Sequence, residues 1–331
     1  FLDCIIYLYI GIKALLGLVH VGSIIQYVGS ITQFSTGFTK FLTQLALIKA
    51  NNEALKLYFE FMHLPETMQK GTQSIKMCDH DAFEIEFIHV SFQYTGTDVY
   101  ALKNINIKIK SGKRFAVVGM NGSGKTTLIK LLCRLYEPTA GKITLNGIDI
   151  QDYKLDEYMA LFGVVFQDFK LFSFTLAQNI AANPIIDKNF AELCLVRSGF
   201  SERIHTMPQG LDTPIHKDFD EDGIEISGGE AQKIALARAL YKNAPFIVLD
   251  EPTAALDPIA EYEIFNHFNQ IIENKTAIYI SHRLSSCRFC NDIIVLHDGE
   301  LIQYGSHETL LADTSGKYFE LWHAQAQYYC D

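Results

Sequence analysis

Gly119-Met120-Asn121-Gly122-Ser123-Gly124-Lys125-Thr126 decides the reading of this chain. The eight residues fill every fixed position of G-x-x-x-x-G-K-[ST]. The apolar run 115–118 precedes them as a strand, and a helical run, 127–136, follows. Glycines let a backbone wrap around phosphate groups, so that main-chain N–H groups and a helix N-terminus supply positive potential. Lys125 is the side chain that reaches β- and γ-phosphates, and the Thr126 hydroxyl is a ligand for Mg²⁺.

A second element matches the first. Phe246-Ile247-Val248-Leu249-Asp250-Glu251 reads as a buried strand with two carboxylates at its C-terminal end, where open α/β sheets bind ligands. Asp250 is placed for the metal's hydration shell. Glu251, one residue on, is a candidate general base for an attacking water.

Outward from these two motifs the pattern is α/β. Phe83, Ile85 and Phe87 alternate with acidic residues, and Ile105, Ile107 and Ile109 alternate with Asn and Lys, which is strand periodicity. Asn146-Gly147 marks a hairpin turn. The runs 277–280 and 293–296 read as further buried parallel strands.

A third element, Ile226-Ser227-Gly228-Gly229-Glu230, precedes the helical stretch 234–240. This resembles the LSGGQ-like signature of ATP-binding cassette (ABC) ATPases. Gln167 after the run 162–166 resembles their Q-loop, Ala255-Leu256-Asp257 the D-loop, His282 the switch histidine, and Tyr94 the aromatic residue that stacks on adenine. The resemblance covers about residues 83–325. It implies an α/β P-loop NTPase fold with a RecA-like core, an antiparallel β subdomain and a helical signature subdomain.

It also implies ATP and Mg²⁺ as ligands. ATP would be held by Tyr94, Gly119, Asn121, Gly122, Ser123, Gly124, Lys125, Thr126 and Thr127, together with Ser227, Gly228, Gly229, Glu230 and Asp257. The metal ligands would be Thr126, Gln167 and Asp250, and the catalytic residues Glu251, His282 and Gln167. Two such domains would close head-to-tail, each nucleotide lying between the loop of one and the signature of the other. Three departures from the family pattern stand out: Glu230 where Gln is common, Pro252 where exporters often have Ala, and the acidic stretch Lys217-Asp218-Phe219-Asp220-Glu221-Asp222-Gly223. The last is read either as a contact for basic membrane-domain loops or as a solvated charged loop.

Residues 1–64 differ from the rest. Between Lys13 and Lys40 no Asp, Glu, Lys or Arg occurs over residues 14–39, a run of 26. The stretch divides near Gly17–Gly22, and its second helix has no proline to stop it before Pro65. A helix over 21–64 would be about 66 Å long, against a hydrocarbon core of about 30 Å. Small residues recur every seven positions at Ser23, Ser30 and Gly37, and at Gly22 and Gly29, the spacing of a close helix–helix stripe. The expectation is a partial α-helical transmembrane domain over 1–64, a linker over 65–82 and a short tail over 326–331. A buried hairpin of a soluble protein is the alternative. The chain begins at Phe1 without a basic leader, so an upstream portion is expected to be missing.

With a transmembrane segment ahead of the ATPase, the resemblance implies an exporter half-transporter of the bacterial plasma membrane, its ATPase domain in the cytoplasm. The implied partners are a second half-transporter, membrane lipid and a transported substrate. The C-terminal segment 318–328 resembles the tails of peptide and lantibiotic exporters, which points to a peptide cargo. A soluble ABC ATPase of DNA repair or translation is the competing class. It is disfavoured because only about a hundred residues separate Gly119 from Ser227, with no heptads, and the 331 residues contain neither a tandem cassette nor a basic linker. An intact Glu251 and His282 speak against a non-hydrolysing regulatory cassette.

Composition sets outer bounds. The net charge of −10 disfavours electrostatic binding of nucleic acid. The seven cysteines form no disulfide framework, and the C-x-x-C of Cys287 and Cys290 lacks the second pair a zinc site needs.

Overall fold

The computed structural model describes residues 2–64, 68, 71–75, 83–250, 275–280 and 284–328. Contacts divide the chain into two units, 1–67 and 68–331. In the first unit, α1 (Leu2–Leu15) and α2 (Val21–Met62) pack against each other. The turn between them closes with Gly17 at φ 70°, a left-handed value that glycine adopts without strain. At 42 residues α2 is about 63 Å long.

Ile10 and Val28 are buried, whereas Ile5, Leu8, Ile12, Ile25, Phe34, Phe38, Phe41 and Leu45 are exposed. No helix among the described residues is long and apolar enough to cross a membrane. Helix α1 has 14 residues. In α2 the Ser, Thr, Gln and Gly residues between Gly22 and Thr43 dilute the apolar content that the absence of charge suggested.

The second unit is built on two sheets. The first, in the order β2-β1-β4-β5, is antiparallel: β1 (Glu84–Gln93), β2 (Tyr100–Lys110), β4 (Ala140–Leu145) and β5 (Ile148–Asp149). Ile85, Phe87, Ile105, Ile107 and Ile109 are buried, as their alternation requires. Asn146 and Gly147 take φ of 51° and 83° in the tight turn between β4 and β5.

The second sheet runs β10-β9-β3-β8-β7-β6, comprising β3 (Arg114–Val118), β6 (Phe162–Val165), β7 (Phe246–Asp250), β8 (Thr276–Ile280), β9 (Asp292–His297) and β10 (Glu300–Gly305). Only β10 is antiparallel to its neighbour. All five residues of β7 and of β8 are buried, the continuous apolar pattern of strands covered on both faces.

Helix α3 (Lys125–Leu132) follows β3 and ends four residues before the expected Tyr136. Arg134 stops it. This residue has φ 54°, is buried to 1 % exposure, and donates from Nη1 to Tyr153 O and from Nη2 to Gln151 O.

The helical layer contains α4 (Leu155–Ala160), α5 (Leu176–Ala181), α6 (Lys188–Arg197), α7 (Ser201–Thr206) and α8 (Gly228–Tyr241). Helix α8 lies against α5, α6 and β6. It comes so close to the strand that a Cβ on Gly163 would stand 2.7 Å from Ala239 O.

Candidate functional site

Strand register gathers the motifs at one end of the parallel sheet. Val117 of β3 and Asp250 of β7 both align with Ile280 of the strand between them, while Val165 of β6 aligns with Leu249. Gly119, Asp250 and Gln167 are thus carried to the same carboxyl edge. Neighbouring strands lie about 4.8 Å apart, which sets the lateral spacing.

The loop after β3 can be built only with glycine at two of its positions. Gly119 has φ 153°, and a Cβ there would approach Leu296 O and Ser123 Oγ to 2.3 and 2.6 Å. Gly124 has φ 100°, and its Cβ would stand 2.7 Å from Ala101 O. Ser123 is buried, and its hydroxyl has no hydrogen-bond partner among the described residues. Lys125, also buried, donates from Nζ to Gly119 O at 2.9 Å and Met120 O at 3.0 Å, so its ammonium lies over the loop.

Tyr94 stands at the rim. Its hydroxyl is 3.1 Å from Thr127 Oγ1, which ties it to the first turn of α3. Phe92 and Tyr136 meet its ring edge-on, with centroids at 4.9 and 5.4 Å. A cavity of about 500 Å³ is lined by Tyr94, Asn121, Gly122, Gly124, Lys125, Thr126, Thr127 and Gln167, with Ala101 completing it. One aromatic ring, loop amides, an ammonium and an amide side chain thereby share one space. Asp250 is buried to 1 % exposure at the strand end. The Thr126 hydroxyl, Gln167 amide oxygen and Asp250 carboxylate are hard oxygen donors, a set that fits Mg²⁺ together with phosphate and water oxygens.

Ser227, Gly228, Gly229 and Glu230 are not among the residues lining this cavity. They form the N-terminus of α8 as a capping box: Glu230 N donates to Ser227 Oγ at 3.3 Å, and Ser227 N donates to Glu230 Oε2 at 2.9 Å. Arg203 of α7 places Nε 2.7 Å from Glu230 Oε1. This Nε–H lies outside hydrogen-bond geometry, so the contact is chiefly an attraction of charges. Partial burial pushes the Glu230 carboxyl up, but the Ser227 hydrogen bonds and the Arg203 charge outweigh it and leave the group below the usual carboxylate range.

Glu251, Asp257 and His282 fall outside the described residues, as do Pro252, Ala255 and Leu256. No group of three or more His, Cys, Asp or Glu side chains that could hold a metal occurs among the described residues. Burial pushes the Cys287 thiol well up and the Cys290 thiol to about 12. Sequence reasoning missed Tyr136, Ala101 and Arg203 at these places. Only the tertiary fold brings them there, across separations no motif spans.

Comparison with known proteins agrees with the family resemblance. Residues 102–254 match the family profile described as ABC transporter. The subtilin transport ATP-binding protein of Bacillus subtilis is 38% identical over 304 residues, covering 90% of this chain and 49% of that protein. An ATP-dependent lipid A-core flippase of Idiomarina loihiensis is 39% identical, covering 81% of this chain and 45% of its own length. The nisin transport ATP-binding protein of Lactococcus lactis subsp. lactis is 37% identical, covering 76% and 42%. Among solved structures, a bacterial Atm1-family ABC exporter with ATP bound superposes with a TM-score of 0.75 at 29% identity, over 93% of this chain and 53% of that one. The chain spans about half the length of the curated relatives it matches.

Proposed function

Because the chain belongs to the ABC transporter family, we propose that it is the C-terminal part of an exporter half-transporter, in which ATP binding and hydrolysis over residues 83–325 drive a cargo across a membrane. The observation that carries this reading is the cavity where Tyr94, the glycine loop, Lys125, Thr126 and Gln167 converge.

Adenine stacks on Tyr94 in this reading. The phosphates lie along 119–127, held by loop amides, the α3 N-terminus and Lys125. Thr126, Gln167 and Asp250 would hold Mg²⁺, which would supply charge neutralisation at the phosphates. Glu251 takes the proton of a water that attacks the γ-phosphorus, and the bond from that phosphorus to the β–γ bridging oxygen breaks, releasing ADP and phosphate. His282 contacts the γ-phosphate.

The signature stands apart from the cavity, so the nucleotide is completed by Ser227, Gly228, Gly229, Glu230 and Asp257 of a second cassette. Residues 1–64 belong to the membrane portion, joined by the linker 65–82; residues 326–331 form the tail, and the cassette faces the cytoplasm. Two observations support the membrane placement. The apolar side chains of α1 and α2 are mostly exposed, and the hydroxyls of Thr36, Thr39 and Thr43 donate to carbonyls one turn back, as hydroxyls do where water is scarce. Among the described residues a Cβ on Gly22, Gly29 or Gly37 would meet nothing within 4 Å, which leaves the stripe open to a packing helix. Relatives named for subtilin and nisin transport favour a peptide cargo.

The test is an ATP-dependent dimer. In detergent, the chain carrying Glu251→Gln should dimerise with ATP and not with ADP, and adding Ser227→Arg should abolish the dimer while ATP still binds. A chain that remains monomeric at saturating ATP refutes the shared site.

A further inference from the structure

The N-terminus of α8 carries an electrostatic contradiction. The positive end of a helix dipole suits a docking phosphate, yet Glu230 puts a full negative charge in the first turn of this helix. A bare carboxylate there would repel the anion the helix end is meant to receive.

Both Glu230 oxygens are committed. Oε2 accepts from Ser227 N at 2.9 Å, and Oε1 lies 2.7 Å from Arg203 Nε. Arg203 is itself held in place. Its Nη1 donates to Thr206 Oγ1 at 3.2 Å, and the Thr206 hydroxyl donates back to Arg203 O at 2.8 Å. The helix bearing it is anchored by buried Phe200 and Ile204. With side-chain exposures of 40% for Arg203 and 26% for Glu230, the pair sits at the surface beside the helix end.

We propose that Arg203 is a positioning residue of the signature: it neutralises Glu230 and fixes the capping box, so that the α8 N-terminus accepts the γ-phosphate of a nucleotide bound by a second copy. The inference rests on the shared-site reading above. It also accounts for the Glu at a position where the resemblance expects Gln. The carboxylate is tolerated because a guanidinium, 27 positions earlier in the chain, removes its charge.

The experiment is a charge cycle on the 331-residue chain. Steady-state ATP hydrolysis, ATP affinity of the loop site and ATP-dependent dimerisation are measured for the native protein, Arg203→Leu, Glu230→Gln and the double variant. Arg203→Leu should lower turnover about tenfold and weaken the dimer, with ATP affinity within about twofold of native, because the loss falls on the docking anion and not on the chain's own loop. Glu230→Gln, a change within the binding site itself, serves only as the reference level for the double variant. The double variant should recover to about the Glu230→Gln level, since no carboxylate remains to be neutralised.

A merely structural Arg203 would not be rescued by removing a charge elsewhere. A double variant as impaired as Arg203→Leu overturns the proposal, as does native turnover in Arg203→Leu itself. If Arg203→Leu fails to fold, Arg203→Gln, which keeps length and hydrogen-bonding capacity without charge, takes its place in the same cycle. A native chain with neither hydrolysis nor ATP-dependent dimer sinks the shared-site reading and this inference together. A native chain that dimerises, with no rescue in the cycle, sinks only the role of Arg203.

Discussion

Replacing Tyr94 by alanine separates recognition of the base from recognition of the phosphates. The ring lines the cavity and is braced edge-on by Phe92 and Tyr136 at 4.9 and 5.4 Å. Stacking of a base on such a ring is worth about 1–3 kcal/mol, so Tyr94→Ala should raise the ATP dissociation constant by about 5- to 150-fold. Tyr94→Phe keeps the ring and loses only the contact to Thr127 Oγ1 at 3.1 Å. That costs about 1 kcal/mol of stability and should leave ATP affinity within about threefold. The decisive assay compares ATP with inorganic tripolyphosphate, titrated into native protein and both variants under the same metal and salt. Tripolyphosphate has no base, so its affinity should be indifferent to Tyr94→Ala. Equal weakening of both ligands would mean that Tyr94 supports the loop and does not stack on a base. Equal loss for ATP in Tyr94→Phe and Tyr94→Ala would assign the whole effect to the hydroxyl.

Lys125 and Glu251 should fail differently. Lys125→Ala should lose ATP affinity and turnover together, whereas Glu251→Gln should retain ATP and slow hydrolysis by about 10²–10⁴, the usual worth of a general base; native turnover in Glu251→Gln refutes that assignment. Arg134→Met leaves Tyr153 O and Gln151 O without their buried donor and should cost about 2 kcal/mol in chemical denaturation; an unchanged midpoint would show that the carbonyls find other partners. Among the described cysteines, buried Cys133 and Cys287, their thiols pushed up by burial, should react with a maleimide only on unfolding. Fast labelling of Cys287 in the folded chain would contradict its burial.

The parts of the fold that were legible in the sequence are those where one physical rule acts over consecutive residues. Alternation placed Ile105, Ile107 and Ile109 on one buried face. Continuous apolar runs gave β7 and β8, and the loop's glycines answer to backbone angles and contacts that no side chain tolerates. One expectation fared worse. The helix after the loop was drawn too long because propensity runs through Leu135 and Tyr136, while Arg134 turns inward to satisfy two carbonyls from a distant segment. The charge-free run over 14–39 is interrupted by Ser, Thr, Gln and Gly, so no described helix is long and apolar enough to cross a membrane.

The placement of the site follows from the order of the parallel strands more than from any motif. A strand that runs parallel to its neighbours must deliver its C-terminal residue to the same edge as theirs. Once β8 aligns its Ile280 with both Val117 and Asp250, the glycine loop and the carboxylate cannot be separated by more than two strand spacings, about 10 Å. The sequence supplies groups suited to phosphate and to a hard cation, and the parallel register makes them one site. The signature is exempt from that constraint, because it opens a helix of the flanking layer and not a strand of the sheet. The same topology that assembles the loop, the aromatic ring and the glutamine into one cavity leaves Ser227 and Glu230 on the surface, with a complete capping box and an arginine partner of their own. An anion-ready helix end that its own chain does not use is what a head-to-tail pair of cassettes requires. It follows that Ser227→Arg should act in trans: mixed with a native chain, the variant should still bind ATP in its own loop and spoil hydrolysis at its partner's.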